Sequence, residues 1–320
     1  MTRRIRAYLP YVFVVGFATW CLYRIRGDLA QLSLARLAHS WDLVLLAVLL
    51  SLLSYALRIV RWQAYLKQLG HHVTLRFAAL TFTAGFAYTL SPGKVGELVR
   101  ARYYQPLGIP LRSITAAFFV ERLMDLVAMV VLATLLFTAS SLYTGAVLTA
   151  GVLVLTVLLC LAVLPWDRLA GALTSCPRLP PVLRRAASGL ASSLAATRIL
   201  LRPQALVAGF TLGLLAWGLE GTGLGWLSAM FAPAHLGLAS AWGIYGVAVL
   251  LGSLSFLPGG LGGTEAVMTA LLHAHGFPVS DALLLTLTCR FVTLWFAVVL
   301  GWLAVFALRP RAPGALLPWR

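Results

Sequence analysis

Six apolar runs long enough to cross a lipid bilayer constrain this chain more than any other feature in it. They lie at about 8–23, 42–60, 112–137, 143–164, 203–230 and 282–308, and roughly 20 helical residues span the hydrocarbon core. Backbone polar groups in lipid must pair within their own segment, so each run is expected to be a helix. Composition agrees: 61% of the 320 residues are apolar and 11% charged, where a soluble domain carries about a quarter charged residues. An ordinary soluble enzyme, a disordered chain and a nucleic-acid-binding domain are excluded. The net charge of +16 fits basic residues gathered in cytoplasmic loops. Cys21, Cys160, Cys176 and Cys289 form no C-x-x-C pair, so neither disulfides nor a zinc site is expected. Arg3, Arg4 and Arg6, followed by apolar residues from Tyr8, read as the start of an uncleaved first span.

Two further apolar stretches, about 77–98 and 241–273, are broken in the middle. The breaks are Ser91-Pro92-Gly93-Lys94-Val95-Gly96-Glu97 and Leu257-Pro258-Gly259-Gly260-Leu261-Gly262-Gly263-Thr264-Glu265. Pro removes a donor and Gly loosens a helix, so each stretch is expected to split into two half-helices. These either cross as kinked spans or return as re-entrant hairpins, and the charges choose. With a cytoplasmic N-terminus and two hairpins, 19 of the 25 basic residues fall inside, Arg24, Arg26 and Arg36 outside, and Lys94, Arg122 and Arg290 at membrane depth. If both elements crossed, the loop at 168–202 would carry six arginines to the outside. The positive-inside rule therefore favours hairpins. The expectation is an all-α polytopic membrane protein, one domain over 1–320, with six full spans and two broken re-entrant hairpins.

The chain also echoes itself. Glu97 and Glu265, Gly108 and Gly276, Pro110 and Pro278, and Arg122 and Arg290 are each 168 residues apart, while Pro92-Gly93 and Pro258-Gly259 are 166 apart. Halves at 1–137 and 143–308 each read as span, span, hairpin, span. Three crossings separate the hairpins, so the second enters from the opposite face, as in the inverted repeats of many transporters. Between the halves, 166–202 reads as a cytoplasmic interfacial segment. After Pro180-Pro181, its apolar residues recur at helical spacing, which fits an amphipathic helix or a plain linker.

Ionisable residues are expensive at membrane depth unless paired or facing water, yet several are kept. Glu97 follows the first break with Arg100 one turn on, and Glu121, Arg122 and Asp125 share a span. Glu265 and Arg290 repeat Glu97 and Arg122, and Glu220 interrupts an apolar run and points inward. Two roles stay open: ion pairs that staple each hairpin to its neighbouring span, or arginines that face a cavity and bind an anion, a task suited to guanidinium. Arg58, Arg61 and Trp62 fall on one helix face and serve as an interfacial anchor or as an entry site for a headgroup. His71-His72 and His273-x-His275 sit at loop ends and are not expected to hold metal. No phosphate-binding loop, dinucleotide fingerprint or hydrolase motif occurs, so no cofactor is expected.

The order Arg-x-x-Arg-Trp (58–62), Pro-Gly-Lys-x-Gly-Glu (92–97) with Arg100, Glu-Arg-x-x-Asp (121–125), Pro-Gly-Gly-Leu-Gly-Gly-x-Glu (258–265) and the late Arg290 resembles the lysylphosphatidylglycerol synthase transmembrane-region family. The resemblance runs over nearly the whole chain. In the multiple peptide resistance factor, a similar region joined to a soluble aminoacyl-transferase domain moves aminoacylated phosphatidylglycerol across the bilayer. The resemblance implies a bacterial inner-membrane translocator of an anionic or aminoacylated phospholipid or a related lipid, here the membrane half alone, and the charge count above puts both termini on the cytoplasmic side. Its expected partner is a membrane lipid (a phospholipid, hopanoid or polyprenyl-linked lipid), and lipid-biosynthesis enzymes are further candidates. The substrate site would draw on Arg58, Arg61, Lys94, Glu97, Arg100, Glu121, Arg122, Asp125, Glu265 and Arg290. Its hinges would be Pro92, Gly93, Gly96, Pro258, Gly259, Gly260, Gly262 and Gly263. A membrane enzyme acting on a lipid-linked group is the alternative, weakened because a carboxylate held by arginine is a poor base. A scaffold of a lipid-synthesis complex is the third.

Overall fold

Every regular element is helical in a computed structural model, which describes residues 38–308 except 137–140, 167, 169–170, 173–174, 176–179, 232–234 and 256. The expected run at 8–23 and both termini lie outside the described residues. The first helices are α1 (Trp41–Gln68), α2 (Leu75–Phe86), α3 (Leu111–Ala133), α4 (Ser141–Val163) and α5 (Pro181–Leu200). There follow α6 (Pro203–Ser228), α7 (Leu238–Leu254), α8 (Gly263–Ala274), α9 (Val279–Arg290) and α10 (Phe296–Leu308), the last two joined by a π-helical turn at Phe291–Trp295. Among the described residues, three stretches are long and apolar enough to cross a membrane: Trp41–Gln68, Pro203–Phe231 and Val279–Leu308.

The broken elements behave differently. Helix α2 has 12 residues, about 18 Å at 1.5 Å per residue, well short of the roughly 30 Å hydrocarbon core. After Ser91-Pro92, Gly93 and Lys94 take φ of 59° and 57°, and a 3-10 segment to Arg100 folds back against α2. At the second break Gly259 and Gly260 take φ of 62° and 67°, and α8 folds back on α7. The feet of each reversal are close. His71 Nε2 lies 3.0 Å from Ser113 Oγ, and the Phe231 and Phe277 rings stand 6.2 Å apart. Each broken element therefore leaves and returns at one end, and the tips of the two touch.

The offsets in the sequence have structural counterparts. Gly108 and Gly276 both adopt left-handed φ, at 78° and 94°, a conformation open to glycine at little cost. Pro110 and Pro278 stand just ahead of α3 and α9, where a fixed φ suits a helix start. Packing is reciprocal: α2 of the first half lies on α10 of the second, α7 of the second lies on α3 of the first, and α1 meets α6 between them. Glycine permits both crossed contacts. A Cβ on Gly246 would stand 2.8 Å from Ala133 N, and one on Gly301 would collide with the backbone of Ala87. Small residues of this kind let membrane helices approach closely.

The exterior is apolar and the interior charged, the reverse of a water-soluble protein. Val152, Leu153, Leu155 and Val163 of α4 and Phe306 of α10 are all more than half exposed, while Arg61, Arg100 and Glu121 are wholly buried. Within 166–202 the described part is mainly α5, which packs on α3, with Thr115 Oγ1 donating to Ser193 Oγ at 2.8 Å.

Candidate functional site

A cavity of about 250 Å³ lies where the two turns meet. Helix α1 contributes Tyr55 and Arg58, the first turn Lys94 and Glu97, and α3 Arg122 and Asp125. From the second half come Trp217 and Glu220 on α6, Tyr245 on α7, Gly259 and Gly260 at the turn, and Arg290. The volume suits a headgroup or a few waters, and is too small for a lipid with its chains.

Four neighbouring ion networks build this centre. In the largest, Arg100 donates to Glu97 Oε2 at 2.7 Å and to Glu121 Oε2 at 3.0 Å. Its guanidinium is packed 4.4 Å from the ring centres of both Trp62 and Phe82. Arg122 Nη2 reaches Glu121 at 2.8 Å and Asp125 at 3.2 Å, and Arg61 Nη2 holds the other Asp125 oxygen at 2.6 Å. Thr89 adds a hydrogen bond to Glu97 at 2.5 Å. Three arginines thus balance three acids. The second network balances one of each: Arg58 pairs with Glu220 at 2.7 Å, and Ser54 and Tyr245 donate to the same carboxylate at 2.7 and 2.6 Å. In the third, Arg290 Nε binds Glu265 at 2.6 Å and Arg290 Nη2 binds the Gly259 carbonyl at 2.8 Å. The Gly262 N–H donates to the far Glu265 oxygen at 2.7 Å, so this one acid ties loop, helix α8 and arginine together. Lys94 forms the fourth centre alone. Among the described residues no carboxylate within 4.0 Å pairs with it, and Nζ lies 5.6 Å from the Trp217 ring centre.

The site residues expected from sequence are thus gathered, but not equivalently. Arg58, Lys94, Glu97, Arg122, Asp125 and Arg290 line the cavity, whereas Arg61, Arg100, Glu121 and Glu265 stand behind and hold them. Of the turn residues, Gly93, Gly259 and Gly260 reach the cavity wall. Gly96 packs under the first turn, its N–H on Ser91 Oγ at 2.7 Å. Gly262 and Gly263 open α8, and Pro92 and Pro258 begin the 3-10 turns. The interfacial-anchor reading of Arg58, Arg61 and Trp62 is corrected: all three are buried, because that face of α1 turns toward α3 and α6 rather than toward water. Arg58, Arg61 and Arg100 also leave the cytoplasmic side of the charge balance, reducing its 19 residues to 16. Tyr55, Trp217 and Tyr245 were not anticipated at the site. Glu220 was expected to point inward, and its partner Arg58 was not foreseen. Among the described residues no group of three His, Cys, Asp or Glu could hold a metal ion.

An apolar helical shell around a charged, hydrogen-bonded cavity defines an integral membrane protein with a polar site at its centre. Residues 9–301 match the lysylphosphatidylglycerol synthase TM region. The chain belongs to that family. No curated protein matches it.

Proposed function

We propose that this protein translocates a membrane lipid, passing an ionic headgroup through the cavity while the acyl chains stay in hydrocarbon. The observation that carries the reading is the cavity itself: four cations and three acids face a headgroup-sized space between two touching turns. The family's lipid-linked name supports it. In this reading the broken elements are re-entrant hairpins entering from opposite faces, with α3, α4 and α6 as the three crossings between them. Reciprocal packing of α2 on α10 and α7 on α3 supplies two similar bodies that rock to give alternating access. The protein sits in the bacterial inner membrane with both termini cytoplasmic, and its ligand is a phospholipid or a related hopanoid or polyprenyl-linked lipid, supplied by lipid-biosynthesis enzymes.

Arg122 and Arg290 present guanidinium edges to the headgroup, and Glu97 and Glu265 keep them in place. Translocation is favoured over catalysis because the cavity's acids Glu97, Asp125 and Glu220 are each held by arginine, which leaves a poor base. The test is flip of fluorescent phospholipids in proteoliposomes. Arg122→Ala and Arg290→Ala, in protein that remains folded, are expected to slow flip at least tenfold. Flip at the wild-type rate would remove the assignment.

A further inference from the structure

The cavity's charges do not cancel. Arg58, Arg122 and Arg290 face it together with Lys94, against Glu97, Asp125 and Glu220. Counting the groups behind the wall as well, the five arginines Arg58, Arg61, Arg100, Arg122 and Arg290 are matched in number by the five acids Glu97, Glu121, Asp125, Glu220 and Glu265. One positive charge is left over, and geometry assigns it to Lys94, since every arginine in the centre has a carboxylate within 3.0 Å. Among the described residues, two buried N–H groups on cavity-lining side chains, Arg122 Nε and Trp217 Nε1, also lack an acceptor, against one cavity-lining oxygen, Asp125 Oδ2, that lacks a hydrogen-bond donor.

The backbone makes the same point independently. Counted from the shared Pro-Gly, Lys94 occupies the position held by Gly260 in the second turn. Both are left-handed, at φ 57° and 67°. Gly260 is required where it stands, because a Cβ would lie 2.7 Å from Thr264 Oγ1. Lys94 is the sole non-glycine residue with positive φ among those described, a strained choice that a glycine would relieve. Strain of this kind persists where a side chain is needed.

We infer that the cavity selects a headgroup with one net negative charge, a phosphodiester, and that Lys94 is the residue that sets this selectivity. The inference rests on the lipid-translocation reading for the identity of the ligand, but its charge rule is tested separately. Calorimetric titration of the purified full chain in neutral detergent uses four probes, all at pH 7.5: dihexanoylphosphatidylglycerol, dihexanoylphosphatidylcholine, dihexanoylphosphatidic acid and inorganic phosphate. Wild type is expected to bind the phosphatidylglycerol at least tenfold more tightly than the phosphatidylcholine, and the more highly charged phosphatidic acid no more tightly than the phosphatidylglycerol. Lys94→Gln removes that preference and Lys94→Arg keeps it; both side chains meet the same backbone as lysine, so the fold is not at stake. A preference that survives Lys94→Gln, or none in wild type, overturns the inference, as does tenfold tighter phosphatidic acid. Inorganic phosphate binding as tightly as the phosphatidylglycerol would make the ligand a free anion and overturn the lipid source. Flip measured on the same preparations separates the two proposals: Lys94-dependent charge selection without flip sinks only translocation, and flip with charge-indifferent binding sinks only this inference.

Discussion

Gly259, at the tip of the second turn, lies directly against Leu90, at the tip of the first: a methyl group on Gly259 would stand 2.6 Å from the leucine Cδ2. The tips of two chain reversals, far apart in sequence, are thus in van der Waals contact beside the charged cavity. Because Gly259 also has φ 62°, Gly259→Ala combines two costs, a left-handed alanine and a wedge between the tips. Together they are expected to destabilise the protein by about 2–4 kcal/mol. Leu90→Ala in the same chain recovers the contact part and leaves the backbone part. Thermal unfolding of the two single variants and the double variant in detergent checks this.

Arg290 and Glu265 form a pair apart from the other networks, so breaking it from one side leaves a partly buried carboxylate without its counter-charge. Arg290→Gln alone is expected to cost about 1–3 kcal/mol, less than for a fully buried pair. Glu265→Gln in the same chain restores most of that loss, because the neutral pair needs no counter-charge. Flip stays lost in the double variant if Arg290 contacts the headgroup. Stability and transport measured side by side therefore split stapling from binding.

Lys94→Gly is expected to go the other way. Relief of the left-handed lysine favours the variant by about 1–2 kcal/mol, partly offset by the extra freedom of an unfolded glycine. A melting temperature equal to or above wild type, together with slowed transport, is the expected outcome. A clear loss of stability would mean that Lys94 serves the fold.

Gly246 and Gly218 make a matched pair of helical glycines. A Cβ on Gly246 meets the α3 backbone at 2.8 Å, and one on Gly218 meets nothing within 4 Å. Gly246→Ala should cost about 1–3 kcal/mol by forcing α7 from α3, whereas Gly218→Ala should gain up to about 1 kcal/mol from helix propensity. Thermal unfolding of both distinguishes close packing from a general effect of glycine loss.

Much of this architecture was legible because its signals are local. Pro92-Gly93 and Pro258-Gly259 end helices through their own backbone chemistry, and Glu265 and Arg290 stood out as charges in apolar sequence at an offset shared with Glu97 and Arg122. Pairings across helices were not legible. Arg58 finds Glu220 162 residues away, and Arg61 finds Asp125 64 residues away, because packing of α1 on α6 and α3 decides which faces meet. The cavity's aromatic wall was hidden for the same reason: Tyr55, Trp217 and Tyr245 look like ordinary span residues until their neighbours are known. Glu220 carried a usable signal, since an acid inside an apolar run needs a partner; the basic face of α1, with Arg58 and Arg61, was the place to seek it. The π turn at Phe291–Trp295, which follows directly on Arg290, had no sequence mark.

The most direct test asks whether each broken element returns to its own side of the membrane. In a chain freed of its own cysteines, single cysteines replace exposed His72, Arg112, Leu238 and Val279, the feet of the two hairpins. Sealed vesicles are then treated with a membrane-impermeant maleimide from either face. The account predicts that positions 72 and 112 label together from one face, and 238 and 279 together from the other. Labelling of 72 and 112 from opposite faces, or of all four from the same face, would contradict it.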